Sequence, residues 1–511
     1  LSSSSAASDV YKRQVEARRG DKRTPHASAP PARNAIPSAS TARARRPSAE
    51  KTADTICVHE GTRRSDRLNV NRFFFWAKAA ACGGSGPGAP PNTAVALLLL
   101  AGVAGAAAAA AARAAAAPSL AAAFVSAAPP RIELAAIGSL RLAVLRDDET
   151  ALAGTDGLVR GNKARKFAAL PTDRSLASYG GVQSNAAAAL AALAAARGVP
   201  FRYYVRGAVP AHLAREPTGN YAALLARGAT LVELERGALG YVALRAYGEG
   251  RRGALRPPFL PADALLVPQG GACGYARPGV AQLAAHVHAR ACATPAVRTV
   301  ALVCAGTGAS ALFLALELHR LAGAAANGGG CGGDGCGGMV PVLALPCAMH
   351  ADALRAELAE LHARSALESD RGSLPLWVFT PPANSARAVR FGALEPEALR
   401  AWRRARAAGM RIDLLYGAPA LAQLLRAEVA GGGGSGSGGV RAIVEQLLAE
   451  RSGGAREARP LELLWVHTGG LEGVPSQLAR YVRAGLATPD ELALAQAEAD
   501  ISARGPVYGT P

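Results

Sequence analysis

An alternation that begins near Pro130 constrains the fold of this chain more than any other feature. Short runs rich in β-branched and aromatic residues, at 201–205, 230–234, 265–267, 299–303, 340–345 and 463–466, are separated by stretches rich in alanine and leucine. Runs of this length, each followed by a helix-forming stretch, predict an open, mostly parallel α/β sheet. The ordered part opens with Ile132, Leu134, Ile137, Leu140, Leu142, Val144 and Leu145, which lead into Arg146-Asp147-Asp148-Glu149. Two glycine-rich inserts, at 328–338 and 431–439, interrupt the alternation and are expected to be flexible surface loops.

Residues 1–129 read as a low-complexity, disordered extension. Residues 1–71 are rich in Arg, Ser, Ala, Thr and Pro and have no apolar period, so they cannot bury enough surface to order themselves. Residues 93–112 are uncharged and about as long as the ~20 residues a membrane-crossing helix needs, but only Leu97, Leu98, Leu99 and Leu100 are strongly apolar. A mitochondrial or plastid targeting segment and non-native sequence rank level as readings of this extension, ahead of a permanent anchor. The opening LSSSSAASDVYKRQ resembles a cloning remnant, and the first methionine is Met339. The expected location is intracellular, in the cytoplasm or an organelle, with no stable membrane association.

The formal charge of +19 is concentrated in the same extension: residues 1–130 hold 17 Lys and Arg against 7 Asp and Glu. Elsewhere arginine is scattered without interleaved aromatics, so no nucleic-acid partner is expected. The cysteines, at 57, 82, 273, 292, 304, 331, 336 and 347, show no Cys-x-x-Cys spacing, and the histidines form no His-Glu-x-x-His motif. Neither a metal site nor a disulfide framework is expected, and a reducing compartment fits.

Lysine usage is sharply biased. After Lys78 the chain has only two lysines, Lys163 and Lys166, while arginine takes every other cationic position. A guanidinium stays protonated and is a poor nucleophile, whereas a lysine whose proton affinity is lowered by burial forms imines. Both lysines fall in Gly161-Asn162-Lys163-Ala164-Arg165-Lys166-Phe167, a turn opening into a helix start, where a phosphate would find donors and positive charge. Two more segments have matching chemistry. The segment at 178–185, ending Gln183-Ser184-Asn185, opens an alanine-rich helix with hydroxyls, amides and free N–H groups suited to a carboxylate. Residues 303–310, with Gly306-Thr307-Gly308, run from a strand into a helix and suit a phosphate. That glycine turn is a weak motif alone: Ala311 stands where a dinucleotide fingerprint needs its third glycine.

Taken in order, these segments resemble the 1-aminocyclopropane-1-carboxylate deaminase and D-cysteine desulfhydrase family of pyridoxal-phosphate (PLP) enzymes. The resemblance covers roughly residues 130–485. It runs through Arg-Asp-Asp at 146–148, Gly-Asn-Lys-x-x-Lys at 161–166, Gly-Gly-x-Gln-Ser-Asn at 180–185, the turn at 306–310, Tyr416 and His467-Thr468-Gly469-Gly470-Leu471. It implies the tryptophan-synthase-β (fold type II) architecture: two open α/β domains with the cofactor between them. The larger would comprise 130–173 and 262–500, the smaller 174–261, and a homodimer is the family habit. It also implies that Lys163 forms the imine with PLP and later moves the substrate α-proton, and that Lys166, Gly306, Thr307, Gly308 and Ser310 surround the phosphate. Asn185 would face the ring hydroxyl and Ser184 the substrate carboxylate, with Gln183 and Asn185 also among the substrate residues; Tyr416 would lie over the substrate, and Thr468 would contact the cofactor.

Within the family, ring-opening deaminases carry a Glu after the tyrosine and a Leu in the late His-x-Gly-Gly motif. Here those positions are Gly417 and Thr468. Thr468 matches the desulfhydrase branch, while Gly417 matches neither and leaves the ring-nitrogen partner open. The expected reaction is β-elimination from a small amino acid such as D-cysteine, giving sulfide, pyruvate and ammonia. The alternatives are 1-aminocyclopropane-1-carboxylate deamination to 2-oxobutyrate, a non-catalytic PLP-binding protein, and a nucleotide-dependent oxidoreductase built on 306–310.

Overall fold

The structure, a computed structural model, describes residues 129–235, 239–326, 339–365, 374, 376–381, 391–430, 439–451 and 459–504. The extension before Pro129, with its apolar run, and the bodies of both glycine-rich inserts lie outside the described residues. All described residues belong to the unit Asp54–Pro511.

Among the described residues, ten strands form two sheets. β1 (Ile132–Ile137) and β2 (Leu140–Leu145) make an antiparallel hairpin through the two residues Gly138 and Ser139. They are followed by β3 (Leu176–Gly180), β4 (Phe201–Arg206), β5 (Thr230–Leu234), β6 (Leu265–Val267), β7 (Arg298–Ala305), β8 (Val342–Pro346), β9 (Leu376–Val378) and β10 (Leu461–Val466). One sheet has the order β1-β2-β10-β7-β8-β9 and is parallel apart from the hairpin; the other, β5-β4-β3-β6, is wholly parallel. The mostly parallel α/β architecture expected from the alternation is therefore present. The hairpin and β9 are strands that the run pattern did not separate. β6 adds to the smaller sheet by pairing with β3, so that sheet reaches past residue 261, where the sequence division ended it.

The strands of the larger sheet read as continuous apolar runs because both faces are covered. Alternate side chains point opposite ways: Leu142, Val144, Val300, Leu302, Leu343, Leu463 and Trp465 enter a core shared with the helices Pro396–Ala407 and Gly417–Ala430. Ala143, Leu145, Ala301, Val303, Val342 and Leu464 enter another, shared with Arg277–Ala293, Ala309–Ala326 and Ala351–Ser365. The smaller sheet packs on the alanine-rich helix Asn185–Arg197, whose Ala186, Ala187, Leu190, Ala191, Leu193 and Ala194 are buried. Among the described residues no helix is long and apolar enough to cross a membrane.

Each sheet contains one place where the chain reverses its direction of growth. From β7 the chain moves outward to β8 and β9 before returning as β10 on the other side of β7; from β3 it moves to β4 and β5 before returning as β6. Loops leaving the carboxyl ends of the two strands at such a point diverge to opposite faces and leave a crevice between them.

Candidate active site

The loops after all four of these strands line one cavity of about 540 Å³. β7 supplies Gly306, Thr307, Gly308 and Ser310; β10 supplies Thr468, Gly469, Gly470 and Glu472; β3 supplies Ser184 and Asn185; β6 supplies Gln269 and Gly270. Asn162, Lys163 and Lys166 enter from the helix Gly161–Phe167, and Tyr416 from the turn before Gly417–Ala430.

The lysine helix is pressed against the loop after β10. Gly161 adopts φ +58°, and a Cβ there would stand 2.5 Å from the Thr468 carbonyl oxygen, so only glycine permits the approach. The same carbonyl accepts from the Asn162 N–H at 3.0 Å. Lys163 Nζ donates to Asn162 Oδ1 at 2.9 Å. Burial pulls the Lys163 ammonium down to about 8, against the opposing pull of Glu472 and Asp413, so about a tenth of it is neutral amine at pH 7. Lys166 Nζ donates to the Gly270 carbonyl at 3.1 Å. Burial, and then the charge of Lys163, drive Lys166 well below the ordinary lysine range.

Behind this helix the Arg-Asp-Asp segment acts as a brace. Arg165, on the face of the lysine helix turned from the cavity, pairs with Asp147 at 2.6 Å, and both are almost fully buried. Arg146 grips Asp148 through two hydrogen bonds of 2.8 and 2.7 Å. Asp148 in turn lies 3.3 Å from His467 Nδ1, while His467 Nε2 donates to the Arg411 carbonyl at 2.6 Å. The motif at 146–148 thus holds the lysine helix and the His-Thr-Gly-Gly loop in one arrangement without entering the cavity.

The turn after β7 is a glycine cradle. Gly308 has φ +74°, and a Cβ on it would come 2.5 Å from Leu358 Cδ2. The turn feeds the helix Ala309–Ala326, whose first N–H groups lack intrahelical partners and face the cavity with the Ser310 hydroxyl. Asn162 Nδ2 reaches Ser310 Oγ at 3.5 Å, which ties the cradle to the lysine. Tyr416 closes this side: its Cε1 is 3.0 Å from where a Cβ of Gly306 would stand, and its ring meets Phe391 at 5.4 Å between centroids. Burial raises the Tyr416 hydroxyl above the ordinary range, so it stays protonated.

On the wall built by the smaller sheet, Ser184 caps the helix Asn185–Arg197 by accepting from the Ala187 N–H at 3.3 Å, which leaves its own O–H and the N–H groups of Asn185 and Ala186 as donors. Asn185 Oδ1 accepts from Asn220 Nδ2, which also donates to the Gln183 carbonyl at 3.0 Å. Gln183 does not line the cavity. Its side chain donates to the Thr218 carbonyl at 2.9 Å and accepts from the Tyr221 N–H at 3.3 Å, which fastens the helix Gly219–Ala226.

Every other site residue expected from the sequence, namely Lys163, Lys166, Ser184, Asn185, Gly306, Thr307, Gly308, Ser310, Tyr416 and Thr468, lines the cavity. Sequence reading missed Asn162, Gln269, Gly270, Asn220, Glu472 and Asp413. Pro268-Gln269-Gly270-Gly271 ends a strand in the same manner as the turn at 306–308, a signal that was available; Glu472 carries no local signature.

The donor set suits a phosphate-bearing aldehyde cofactor. A glycine cradle at a helix start, a hydroxyl and an amide stand ready for the anion, and an amine of depressed proton affinity shares the same cavity. No family model and no curated protein matches this sequence. Solved structures similar to it include an ACC deaminase homologue, at 18% identity over 69% of this chain and 94% of the other, with a TM-score of 0.44. Others are an L-serine ammonia-lyase from the fungus Rhizomucor miehei (13% identity, 70% and 98% covered, TM-score 0.40) and a hydrogen sulfide-producing enzyme from Fusobacterium nucleatum (10%, 69% and 96%, TM-score 0.36).

Proposed function

We propose that this chain is a PLP enzyme whose cofactor is held by Lys163, and that it carries out β-elimination on a small amino acid such as D-cysteine. The observation that carries the reading is the meeting, in one cavity, of the Lys163 amine and the glycine cradle at 306–310. The cofactor, when bound, supplies an electron sink for the carbanion formed at the substrate Cα. The N–H groups at the start of Ala309–Ala326 and the hydroxyls of Thr307 and Ser310 would receive its phosphate.

The Lys163 Nζ amine would take the α-proton of the bound amino acid, and Asn162 Oδ1, at 2.9 Å, would hold the resulting ammonium. The Ser184 O–H and the first N–H groups of Asn185–Arg197 bind the substrate carboxylate, which aligns the Cα–H bond with Lys163. The neutral Tyr416 hydroxyl, which lines the same cavity, would offer a proton to the departing sulfur, so sulfide leaves as H2S. The released enamine takes up water to give pyruvate and ammonia.

The test is an absorption spectrum of the full chain with PLP, before and after D-cysteine, L-cysteine or 1-aminocyclopropane-1-carboxylate, with sulfide, pyruvate and 2-oxobutyrate assayed alongside. A visible band of lysine-bound pyridoxal followed by sulfide and pyruvate is the expected result. A band with 2-oxobutyrate would assign ring opening, a band with no product would assign cofactor binding without turnover, and absence of the band would remove the PLP reading.

A further inference from the structure

Five carboxylates of the described residues are buried: Asp147, Asp148, Glu249, Glu317 and Asp413. The first four are paired with arginine, respectively Arg165, Arg146, Arg245 and Arg277. Asp413, at 5% exposure, forms no ion pair with an arginine or lysine among the described residues; the titratable group that acts on its charge is His467. Its oxygens are held by backbone alone: Oδ1 accepts from the N–H groups of Leu415 and Tyr416 at 2.8 and 2.7 Å, and Oδ2 from Gly417 at 2.9 Å. A buried acceptor can be satisfied this way, but a buried charge without a counter-charge is costly, and such groups are retained where a cation arrives or a charge is needed.

Asp413 lies at the meeting of three segments that line the cavity. A Cβ at Gly417 would stand 3.1 Å from its Oδ2 and 3.0 Å from Ile412 Cβ, so a side chain at 417 would crowd the carboxylate. A Cβ at Gly470 would stand 3.3 Å from Asp413 Cγ and 3.2 Å from Asn185 Nδ2, which sets the carboxylate directly behind the Gly469-Gly470 turn. The three N–H groups it binds belong to the turn that delivers Tyr416 over Gly306. We propose that Asp413 is a positioning residue of this site, fixing the Tyr416 turn and presenting a buried negative charge to the Lys163 end of the cavity.

The inference rests on the reading of Lys163 as the cofactor-holding residue. It also gives the glycine at 417 a physical reason, since the carboxylate of Asp413 already stands beside that position. The charged and titratable groups around it agree with such a role. Burial lowers the proton affinity of Lys163 while Glu472 and Asp413 hold it up, the charge of Lys163 in turn lowers Lys166, His467 faces Asp413 from the loop after β10, and burial keeps the Cys304 and Cys347 thiols and the Tyr416 hydroxyl neutral. Burial also raises Asp413 itself, against the pull of its three N–H donors.

The test reads Lys163 in the full chain without cofactor, by reductive methylation with formaldehyde and cyanoborohydride between pH 6 and 9. The extent at residue 163 is followed by mass spectrometry, with folding checked by far-ultraviolet circular dichroism. Asp413→Asn keeps the shape and removes the charge. It should shift the half-labelling pH down by about half a unit, which is about threefold more labelling at pH 7. Asp413→Glu should return the profile toward that of the parent chain. Should Asp413→Asn not fold, Asp413→Ser provides the second neutral variant for the same measurement. A folded neutral variant with the parent profile would overturn the proposal, as would a shift that Asp413→Glu leaves unrestored. Failure of the PLP reading would show separately, as a missing visible band in the parent chain.

Discussion

The two walls of the cavity are built by different means. The wall from the larger sheet is glycine turns and charge: the cradle at 306–308, the Thr468-Gly469-Gly470 turn, and the groups Glu472 and, behind it, Asp413. The wall from the smaller sheet carries no carboxylate among its described lining residues: it is made of the Ser184 hydroxyl, the amides of Asn185 and Asn220 and the Arg227 guanidinium at the end of Gly219–Ala226, with Gln183 fastening that helix. The difference teaches where rigidity and where adaptability are placed. Glycine turns locked by backbone contacts suit a permanent anion, whereas a helix cap with spare donors suits a small carboxylate that must come and go. The lysine helix joins the two, tied to Thr468 and Ser310 on one side and to Gly270 on the other.

That comparison can be broken most decisively at the joint. Lys163→Arg keeps the charge and removes the nucleophile, so the visible cofactor band and turnover should both be lost; a coloured, active variant would sink the assignment. Asp147→Ala should damage both walls together, because Arg165 is left charged and buried behind the lysine helix. Denaturant unfolding is expected to show a loss of about 3–5 kcal/mol, and a loss below about 1 kcal/mol would mean the brace does not hold this helix. Gly308→Ala confines the damage to the larger-sheet wall. Left-handed backbone strain costs the fold about 1–2 kcal/mol there, and a turn that shifts to relieve it moves its N–H groups, so PLP affinity should fall by spectroscopic titration; unchanged affinity would remove the cradle from the phosphate site.

The pH dependence tests the joint again. Lys163 must lose its proton before it attacks an aldehyde, and burial has lowered its proton affinity to about 8. The rate at which the chain takes up PLP covalently should therefore rise about tenfold per pH unit below that value and level off above it. Continued rise toward the range of an exposed lysine would contradict the depressed value. The smallest effect is expected on the smaller-sheet wall: Ser184→Ala removes one hydrogen bond to the substrate carboxylate, about 1 kcal/mol, so KM should rise roughly fivefold with the cofactor band intact. Loss of the band in that variant would show that the walls do not divide their roles in this way.

Much of this was legible from the chain because the relevant signals are local. Strand runs alternate with helical stretches, so the parallel sheets follow from period and length. Lys163 stands out because the chain uses arginine elsewhere, and the turns at 184–185 and 306–310 carry their own glycine, hydroxyl and amide signatures. Asn162 and Gly270 were harder to see, since an amide or a glycine becomes significant only when another segment is set against it.

The sequence by itself determined the element types, the candidate nucleophile and the two anion-suited turns, each of which depends on residues close together in the chain. Tertiary structure alone decided that Gln183 turns away to Thr218 and Tyr221, that β6 joins the smaller sheet, and that Asp413, among the described residues, is the buried carboxylate without an arginine. Those outcomes depend on which distant segments meet. Burial, strand pairing and the choice of counter-charge are fixed by long-range packing, to which spacing along the chain is blind.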